Sequence, residues 1–286
     1  MSLLKVENLT YTYGHGTPFV THAVNNASFS VDKGEIIGII GHTGSGKSTI
    51  AGMLNGLIKP ESGAVYFDGK NIWTDFPKIN EVRFKIGLVF QYPEYQLFEE
   101  TVEKDIAFGP TNMGLSKEEI KERVLYSLHL VGLDDSFLDK SPLDLSGGEK
   151  RRVAIAGILA MKPDVVILDE PTAGLDPLGR DMILERIKNY RDETGAAVII
   201  ISHSMEDMAK TADKLLVMNG GTVEMFSTVS EVFKNAKRLM EIGLDIPEVT
   251  KIALGLKEKG FKIRTDVYTV EGLKNEILRI AKRVEL

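Results

Sequence analysis

A glycine-rich segment that contains a lysine is the first part of the sequence whose residue types could do chemistry. Its nine residues are Gly41, His42, Thr43, Gly44, Ser45, Gly46, Lys47, Ser48 and Thr49. Glycines allow backbone angles and a close approach that side chains would block, so successive N–H groups can point at phosphate oxygens. Lys47 could then reach the β- and γ-phosphates of a nucleotide, and the Ser48 hydroxyl could bind Mg²⁺. We assign all nine residues to nucleotide binding, although such a loop alone could equally belong to a kinase or a GTPase.

Two adjacent acids end an apolar run and could complete such a site. The run covers residues 165–168 and is followed by Asp169 and Glu170. Carboxylates at the end of a buried strand need a charged partner that offsets their desolvation, and Mg²⁺ is the natural one beside a phosphate loop. We predict that Asp169 holds the ion, directly or through water, and that Glu170 acts as a general base on the attacking water. The alternative is a solvated acid pair at the end of a strand.

A glutamine and a histidine also follow apolar runs of strand length. Gln91 ends the run that begins at residue 86, and His203 ends the run that begins at residue 197. In a parallel sheet both would lie at the edge that carries the phosphate loop. The Gln91 amide could coordinate Mg²⁺ or sense the γ-phosphate, and we include Gln91 and His203 among the catalytic candidates. A capping amide and a structural histidine are the alternatives.

A second glycine-bearing turn also opens a helical pattern. Ser146, Gly147 and Gly148 stand between Leu145 and Glu149, and a basic and then apolar stretch follows. Backbone N–H groups at a helix N-terminus can bind an anion, so the turn predicts a second phosphate contact. A kinase or a GTPase has no use for such a second site. The alternative is a simple capping turn.

The elements that position these residues follow from the apolar pattern. Short apolar runs at 35–41, 86–91, 165–169 and 197–203 indicate strands, and several are separated by longer stretches with helical spacing. The alternation predicts a parallel sheet with crossover helices, an α/β core. An antiparallel region is predicted before this core, with strands at 3–13, 23–31 and 63–67 and a turn at Asp68-Gly69.

Helices are predicted in the middle and at the end of the chain. Ser116 begins a capping-box pattern before a helix over 118–130, and another helix starts near Gly148, which together predict a helical insertion. The tail predicts helices at 229–242, 249–259 and 270–284, with a short strand or loop at 261–269. This tail carries no further phosphate-binding motif.

The composition of the chain argues against some classes of function. The 286 residues are 43% hydrophobic, enough for a full-sized core, and the net charge of -6 argues against a protein that binds nucleic acid through a general basic field. The absence of cysteine fits a reducing cytoplasm. The first residues lack a secretory signal and no apolar run approaches the roughly 20 residues of a membrane span, so we expect any membrane role to go through a partner.

The order of these motifs resembles the ABC ATPase superfamily, from residue 3 to about residue 226. The matching segments are the Walker A loop at 41–49, the Q-loop at Gln91, the signature at 145–149, the Walker B strand at 165–170, the D-loop at 174–176 and the switch histidine His203. The resemblance implies a head-to-tail dimer, in which Ser146 and Gly148 of one subunit complete the ATP site of the other. It also implies that Tyr13 stacks on adenine. Glu149 departs from the commoner glutamine.

Within the superfamily, the chain looks like the ATPases of energy-coupling factor and cobalt-type importers. The resemblance is carried by residues 91–98, 101–102, 108–112 and 151–161 and by the additional C-terminal region. Residues 171–176 are similar to the second ATPase subtype of those complexes. It implies three partners: a second ATPase subunit, identical or paralogous, a transmembrane coupling protein, and a small membrane protein that captures the substrate. Residues 92–98 would dock the coupling protein, with a packed loop as the alternative.

We therefore expect an α/β fold, an ABC nucleotide-binding domain over 1–230 with a helical subdomain at about 95–162, and a C-terminal accessory or dimerisation domain over 231–286. The expected function is ATP binding and hydrolysis that drives a micronutrient importer from the cytoplasmic face of the membrane, with ATP and Mg²⁺ bound. A soluble ABC ATPase not linked to transport is the alternative, although such chains usually carry two cassettes, a long coiled coil or zinc-site cysteines.

Overall fold

The computed structural model describes residues 2–284 and contains ten strands within them. In chain order the strands are β1 Leu4–Tyr13, β2 Thr21–Val31, β3 Ile36–Gly41, β4 Ser62–Phe67, β5 Lys70–Asn71, β6 Ile86–Val89, β7 Val165–Asp169, β8 Ala197–Ile201, β9 Lys214–Asn219 and β10 Thr222–Thr228. They form a four-stranded sheet in the order β2-β1-β4-β5 and a six-stranded sheet in the order β10-β9-β3-β8-β7-β6. The four-stranded sheet is antiparallel, as its alternating sequence predicts.

The six-stranded sheet confirms the predicted parallel core. Strands β9, β3, β8, β7 and β6 are parallel, and only β10 runs antiparallel at one edge. Because parallel strands end at the same edge, the segments that follow β3, β6, β7 and β8 lie side by side. Ile201, at the end of β8, pairs with Ile39 on one side and with Asp169 on the other. The strand of the phosphate loop and the strand of the acids are therefore separated by β8 alone.

The core lies on both faces of this sheet. Successive residues of each strand point to opposite faces, so Ile36 and Ile40 belong to one buried cluster while Ile37 and Ile39 belong to the other. The first cluster continues into the helices and the second into the antiparallel sheet. Burial on both faces explains why these strands read as continuous apolar runs.

The described residues contain eleven α-helices. They are α1 Lys47–Leu54, α2 Ile79–Lys85, α3 Val102–Asn112, α4 Lys117–Leu130, α5 Gly147–Leu159, α6 Pro177–Thr194, α7 Met205–Thr211, α8 Val229–Lys234, α9 Ala236–Glu241, α10 Glu248–Glu258 and α11 Val270–Val284. Helices α3, α4 and α5 pack against one another, and the Ser116 hydroxyl caps α4 as the sequence predicts. None of the helices in residues 2–284 has both the length and the apolar character needed to cross a bilayer.

The tail differs from its prediction in one helix. The helix expected over 229–242 is broken at Asn235, whose side-chain amide donates to the Glu231 carbonyl and competes with the helical backbone. Residues 261–269 form a loop between α10 and α11, the second of the two alternatives that the sequence predicts there.

The two parts of the tail have different surroundings. Val232, Phe233 and Leu239 of α8 and α9 are buried in the same cluster as the helical face of the main sheet. From residue 247 onwards, a separate small cluster forms around Ala253, Ile263 and Leu273. Packing thus joins residues 229–246 to the main core, while the domain boundary near residue 230 stays a prediction.

Candidate functional site

The phosphate loop, residues 41–49, contains glycines in backbone conformations in which other residues would be strained. Gly46 caps α1 with φ 99°, and a Cβ atom there would collide with the Ala23 carbonyl oxygen. Gly44 has φ 81°. Both angles lie in the left-handed region that glycine enters without a steric cost. The loop therefore curves tightly from the end of β3 into the N-terminus of α1.

The Lys47 ammonium lies inside this curve. Its Nζ atom donates hydrogen bonds to the carbonyl oxygens of Gly41 at 2.7 Å and His42 at 3.0 Å. Burial lowers the pKa of Lys47, while the negative charges of Glu170 and Asp169 act in the opposite direction. The loop thus holds a cation at its centre, where a phosphate would meet it.

A cleft of ≈300 Å³ brings most of the predicted residues together. It is lined by Tyr13, Thr21, Ala23, Thr43, Gly44, Gly46, Lys47, Ser48, Thr49, Gln91, Asp169, Glu170 and His203. The lining combines a cation, two carboxylates, hydroxyls, an amide and an aromatic ring. Such a set can bind an anionic ligand with a flat apolar group at one end.

Asp169 and Ser48 fit a magnesium ion. Burial raises the pKa of Asp169, whereas hydrogen bonding to Ser48 and the charge of Lys47 act to lower it. Within residues 2–284 no group of three or more His, Asp or Glu side chains could hold a metal by itself. Mg²⁺ commonly takes only one or two protein oxygens and completes its shell with water and phosphate oxygens. The donor set therefore suits Mg²⁺ that arrives with a nucleotide.

Glu170 has the properties of a base. It follows β7 with φ 52°, and its N–H donates to the Ile201 carbonyl oxygen at 2.9 Å, which fixes its position at the sheet edge. Burial raises the pKa of Glu170 to about 7. His203 Nε2 lies 3.3 Å from Glu170 Oε1, but the atoms are not aligned for a hydrogen bond, and Oε1 has no hydrogen-bond partner in the described structure. One buried carboxylate oxygen is thus free to accept a proton.

Gln91 and His203 lie past the strand ends that the sequence predicts for them. Strand β6 ends at Val89 and β8 at Ile201, so each residue lies two positions beyond its strand. Pro93 shortly after Gln91 lacks the N–H that a continuing strand needs, and Ser204 caps α7 directly after His203. Both residues nevertheless line the cleft, on segments that can move more easily than strands.

Tyr13 forms the aromatic end of the cleft. It ends β1, and 43% of its surface is exposed. Its hydroxyl lies 3.5 Å from the Thr49 hydroxyl, and the Tyr11 ring packs edge-on against it with a centroid distance of 4.8 Å. The arrangement holds the ring beside the phosphate loop, so adenine stacking stays a prediction that the geometry permits.

Ser146, Gly147 and Gly148 do not line this cleft. They form the N-terminus of α5, where a capping box joins Ser146 and Glu149. The Ser146 N–H donates to the Glu149 carboxylate at 2.7 Å, and the Ser146 hydroxyl accepts from the Glu149 N–H at 3.4 Å. These hydrogen bonds lower the pKa of Glu149, so a negative charge caps this turn at neutral pH. The predicted second phosphate contact stays a prediction.

Two polar pairs behind the cleft could not be predicted from the sequence pattern. Asp207 is buried and accepts a hydrogen bond from the Thr172 hydroxyl at 3.0 Å, just behind the segment that follows Glu170. Arg151 is also buried and contacts Glu94. Neither motif order nor periodicity signals these pairs, because their partners are 35 and 57 residues apart in the sequence.

Comparison with known proteins gives matches along almost the whole chain. A family described as ABC transporter matches residues 24–173. The energy-coupling factor transporter ATP-binding protein EcfA2 of Caldanaerobacter subterraneus subsp. tengcongensis is 54% identical over 276 residues, 96% of each chain. The protein of the same name in Clostridioides difficile is 54% identical over 284 residues, 99% of this chain and 98% of that one.

Solved structures agree with the sequence matches. The structure of cbiO1 from Clostridium perfringens, described as part of the ABC transporter complex cbiONQ, has a TM-score of 0.75 and 39% identity, and the match covers 91% of this chain and 97% of that one. A dimeric ATP-binding cassette in a post-hydrolysis state, bound to ADP and Pi, has a TM-score of 0.70 and 30% identity, with 79% of this chain and 98% of that chain covered.

Proposed function

Because the chain belongs to the ABC transporter family, among the ATP-binding proteins of energy-coupling factor transporters, we propose that it binds and hydrolyses ATP to drive a membrane importer of a micronutrient. The observation that carries the proposal is the cleft that unites Lys47, Asp169 and Glu170 at one sheet edge. A cation for phosphate, an oxygen ligand for Mg²⁺ and a buried base are the groups that phosphate transfer to water requires.

Each group has a role in hydrolysis. Lys47 and the N–H groups of the phosphate loop bind the β- and γ-phosphates, and the positive end of α1 adds to their attraction. Glu170 accepts a proton from the attacking water. Its raised pKa and its Oε1 atom, which has no hydrogen-bond partner in the described structure, suit it to this role. His203 orients the γ-phosphate beside Glu170. When bound through Ser48, Asp169 and Gln91, Mg²⁺ would neutralise phosphate charge.

The complete site requires a second subunit. The signature residues Ser146, Gly147 and Gly148 lie outside the chain's own cleft, yet they carry the N–H groups of a helix N-terminus. A head-to-tail dimer would bring them against the γ-phosphate in the partner's cleft, so ATP would close the dimer and hydrolysis would open it. The partner is a second copy or a paralogous ATPase.

A coupling surface is supported by exposed aromatic rings next to Gln91. Tyr95 is 84% exposed and Phe98 63% exposed, and Phe98 packs edge-on against Phe108 beside a groove of ≈260 Å³. The Tyr95 ring also packs against Tyr92, and neighbouring exposed aromatic rings are typical of interaction sites. We place the transmembrane coupling protein there, with the substrate-capturing protein bound to it, and the chain on the cytoplasmic face of the membrane.

The hydrolysis part of the proposal is tested by Glu170→Gln. The amide keeps the shape of the carboxylate but is not a base, so ATP and Mg²⁺ should still bind while hydrolysis stops. Size-exclusion chromatography with the ATPase partner should then show a stable ATP-dependent dimer. Hydrolysis at the wild-type rate, or a variant that stays monomeric with saturating ATP and its membrane partner, would contradict the shared-site proposal.

The transport part is tested by replacing Tyr95 and Phe98 with alanine. ATP affinity of the soluble chain should stay nearly unchanged, because neither ring lines the ATP cleft. The membrane complex should weaken, or substrate uptake in vesicles should no longer follow ATP hydrolysis. Full coupled uptake would return the segment to the packed-loop alternative, and a chain that acts without any membrane partner would favour the soluble ATPase.

A further inference from the structure

Arg151 is a buried cation outside the ATP cleft, and it connects α5 to two other segments of the chain. It belongs to α5, a few residues after the signature turn, and only 6% of its side chain is exposed. Its guanidinium lies between the segment that follows Glu170 and the segment that follows Gln91. The residue thus touches the surroundings of three motifs at once.

The contacts to the segment after Glu170 use one nitrogen. Arg151 Nη1 donates to the carbonyl oxygens of Ala173 and Pro171, the latter at 3.4 Å. These carbonyls belong to the turn that leads from Glu170 towards α6. A shift of α5 therefore pulls on the backbone next to the catalytic base.

The other terminal nitrogen reaches the docking segment, residues 92–98. Arg151 Nη2 lies 3.4–3.5 Å from both carboxylate oxygens of Glu94, whose side chain is 21% exposed. Glu94 belongs to the short 3-10 helix Pro93–Gln96, which also carries the exposed ring of Tyr95. A displacement of the docking segment therefore acts on the same guanidinium.

The far end of the docking segment is fixed separately. The Asp105 carboxylate of α3 accepts hydrogen bonds from the N–H groups of Phe98 and Glu99, both at 3.0 Å. The segment is thus anchored at both ends, to α5 through Glu94 and to α3 through Asp105. Because both contacts restrain the segment, a displacement near Glu94 is passed on towards Phe98.

A buried guanidinium does not tolerate the loss of its partners. Taking a charge out of water is costly unless a carboxylate and hydrogen-bond acceptors surround it, and a planar fork can serve both carbonyls and a carboxylate in one arrangement. The three segments can move only together, or Arg151 is left with an unpaired charge. Contiguous hydrogen-bond and ion-pair contacts of this kind can carry coupling between sites.

We propose that Arg151, through its pair with Glu94, is a positioning residue that couples the ATP site to the docking segment. When ATP closes the signature turn of one subunit on its partner, the shift of α5 is relayed to the docking segment and to the turn after Glu170. The proposal rests on the proposed function of the chain.

Amide hydrogen exchange of the full-length chain tests the proposal. The chain is mixed with its ATPase partner, with and without saturating AMP-PNP and Mg²⁺. In the wild type, exchange at 92–98 should change by about fivefold or more on binding, the size expected for coupled sites. In Glu94→Gln the phosphate loop at 41–49 should be protected as before, while the change at 92–98 falls below about twofold. Glu94→Gln keeps the shape of the side chain and an oxygen that can accept from Arg151, and the carbonyl oxygens of Pro171 and Ala173 remain as acceptors, so the fold should be preserved although the carboxylate charge is lost.

Two further variants separate coupling from local stability. Glu100→Gln makes the same chemical change on an exposed neighbour that, among residues 2–284, pairs with Lys104 alone, and it should behave as the wild type. Arg151→Lys keeps the charge but loses the planar fork, and it should uncouple 92–98 as Glu94→Gln does.

Three results would overturn the inference: a full response at 92–98 in Glu94→Gln, no response there in a wild type whose phosphate loop is protected, or the same loss in Glu100→Gln. A wild type without protection at 41–49 would instead refute ATP binding, and with it the function on which the inference rests.

Discussion

Replacing Glu149 with glutamine is expected to strengthen the ATP-dependent association of the chain with its ATPase partner. The Glu149 carboxylate lies 2.7 Å from the Ser146 N–H, within one hydrogen bond of the turn proposed to bind the partner's γ-phosphate. Its pKa is lowered by the bonds to Ser146, so it is ionised at neutral pH. An anion that approaches this turn meets a negative charge as well as the N–H groups of Gly147 and Gly148.

The size of the effect follows from the charge and the capping geometry. Glutamine can keep the capping box, so the stability of α5 should fall by about 0.3–1 kcal/mol at most. A unit charge about 5–8 Å from another in water contributes about 0.5–0.8 kcal/mol of repulsion. With a phosphate of more than one charge, we expect a gain of about 1 kcal/mol per site, or about fivefold in affinity. A homodimer has two such sites, so its dissociation constant should fall by about 30-fold.

The assay is sedimentation of the ATP-bound dimer as a function of concentration, at low and at high salt. Surface repulsion is screened as the Debye length falls from about 10 Å at 0.1 M to about 3 Å at 1 M salt, so the advantage of Glu149→Gln should shrink. Glu119→Gln is the matched control, since Glu119 holds the equivalent place after the Ser116 cap of α4. An unchanged or weaker dimer, or a gain that salt does not reduce, would refute the reasoning.

Four other predictions concern the ATP cleft and the tail. Lys47→Ala should weaken ATP binding by about 10- to 150-fold, because a hydrogen bond to a charged group contributes about 1.5–3 kcal/mol; ATPase activity near that of the wild type would contradict the assignment of the phosphate loop. Tyr13→Ala should weaken ATP affinity by about 5- to 150-fold through lost stacking, whereas Tyr13→Phe should bind nearly normally in the same titration. A chain that ends at residue 246 should bind ATP but associate weakly in sedimentation, and failure of the folded monomer to bind ATP would contradict this. A chain that ends at residue 230 should instead lose several kcal/mol of stability in denaturant titrations, since it removes the buried side chains of Val232, Phe233 and Leu239.

Local patterns were sufficient to predict the phosphate loop and the acid pair. Asp169 and Glu170 stand directly at the end of an apolar run, and Lys47 follows another apolar run after the glycine-rich turn. The common edge of a parallel sheet places the three residues together without further information. Gln91 and His203 were predicted in the right cleft but at strand ends, because an apolar run does not show where its hydrogen-bonded pairing stops.

Contacts between distant parts of the chain could not be predicted in this way. The pairs of Arg151 with Glu94 and of Asp207 with Thr172 depend on how helices pack, which no local pattern records. The capping box of α5 is different, since Ser146 and Glu149 have the spacing that identifies one and could have been recognised. For the tail, helical spacing predicts apolar faces, but it does not tell whether a face packs on the same chain or on a partner.

Because β8 lies between β3 and β7, it sets the distance between the phosphate loop and Glu170. Neighbouring strands are about 4.7–4.9 Å apart, so the strand that delivers the phosphate loop and the strand that delivers Glu170 are held about 9–10 Å apart. That gap is fixed by backbone hydrogen bonds, and it leaves room for a phosphate and a water molecule in line. Exchange of one apolar side chain for another in β8 therefore leaves the gap unchanged, whereas a proline within Ala197–Ile201 would alter it without touching any residue of the cleft.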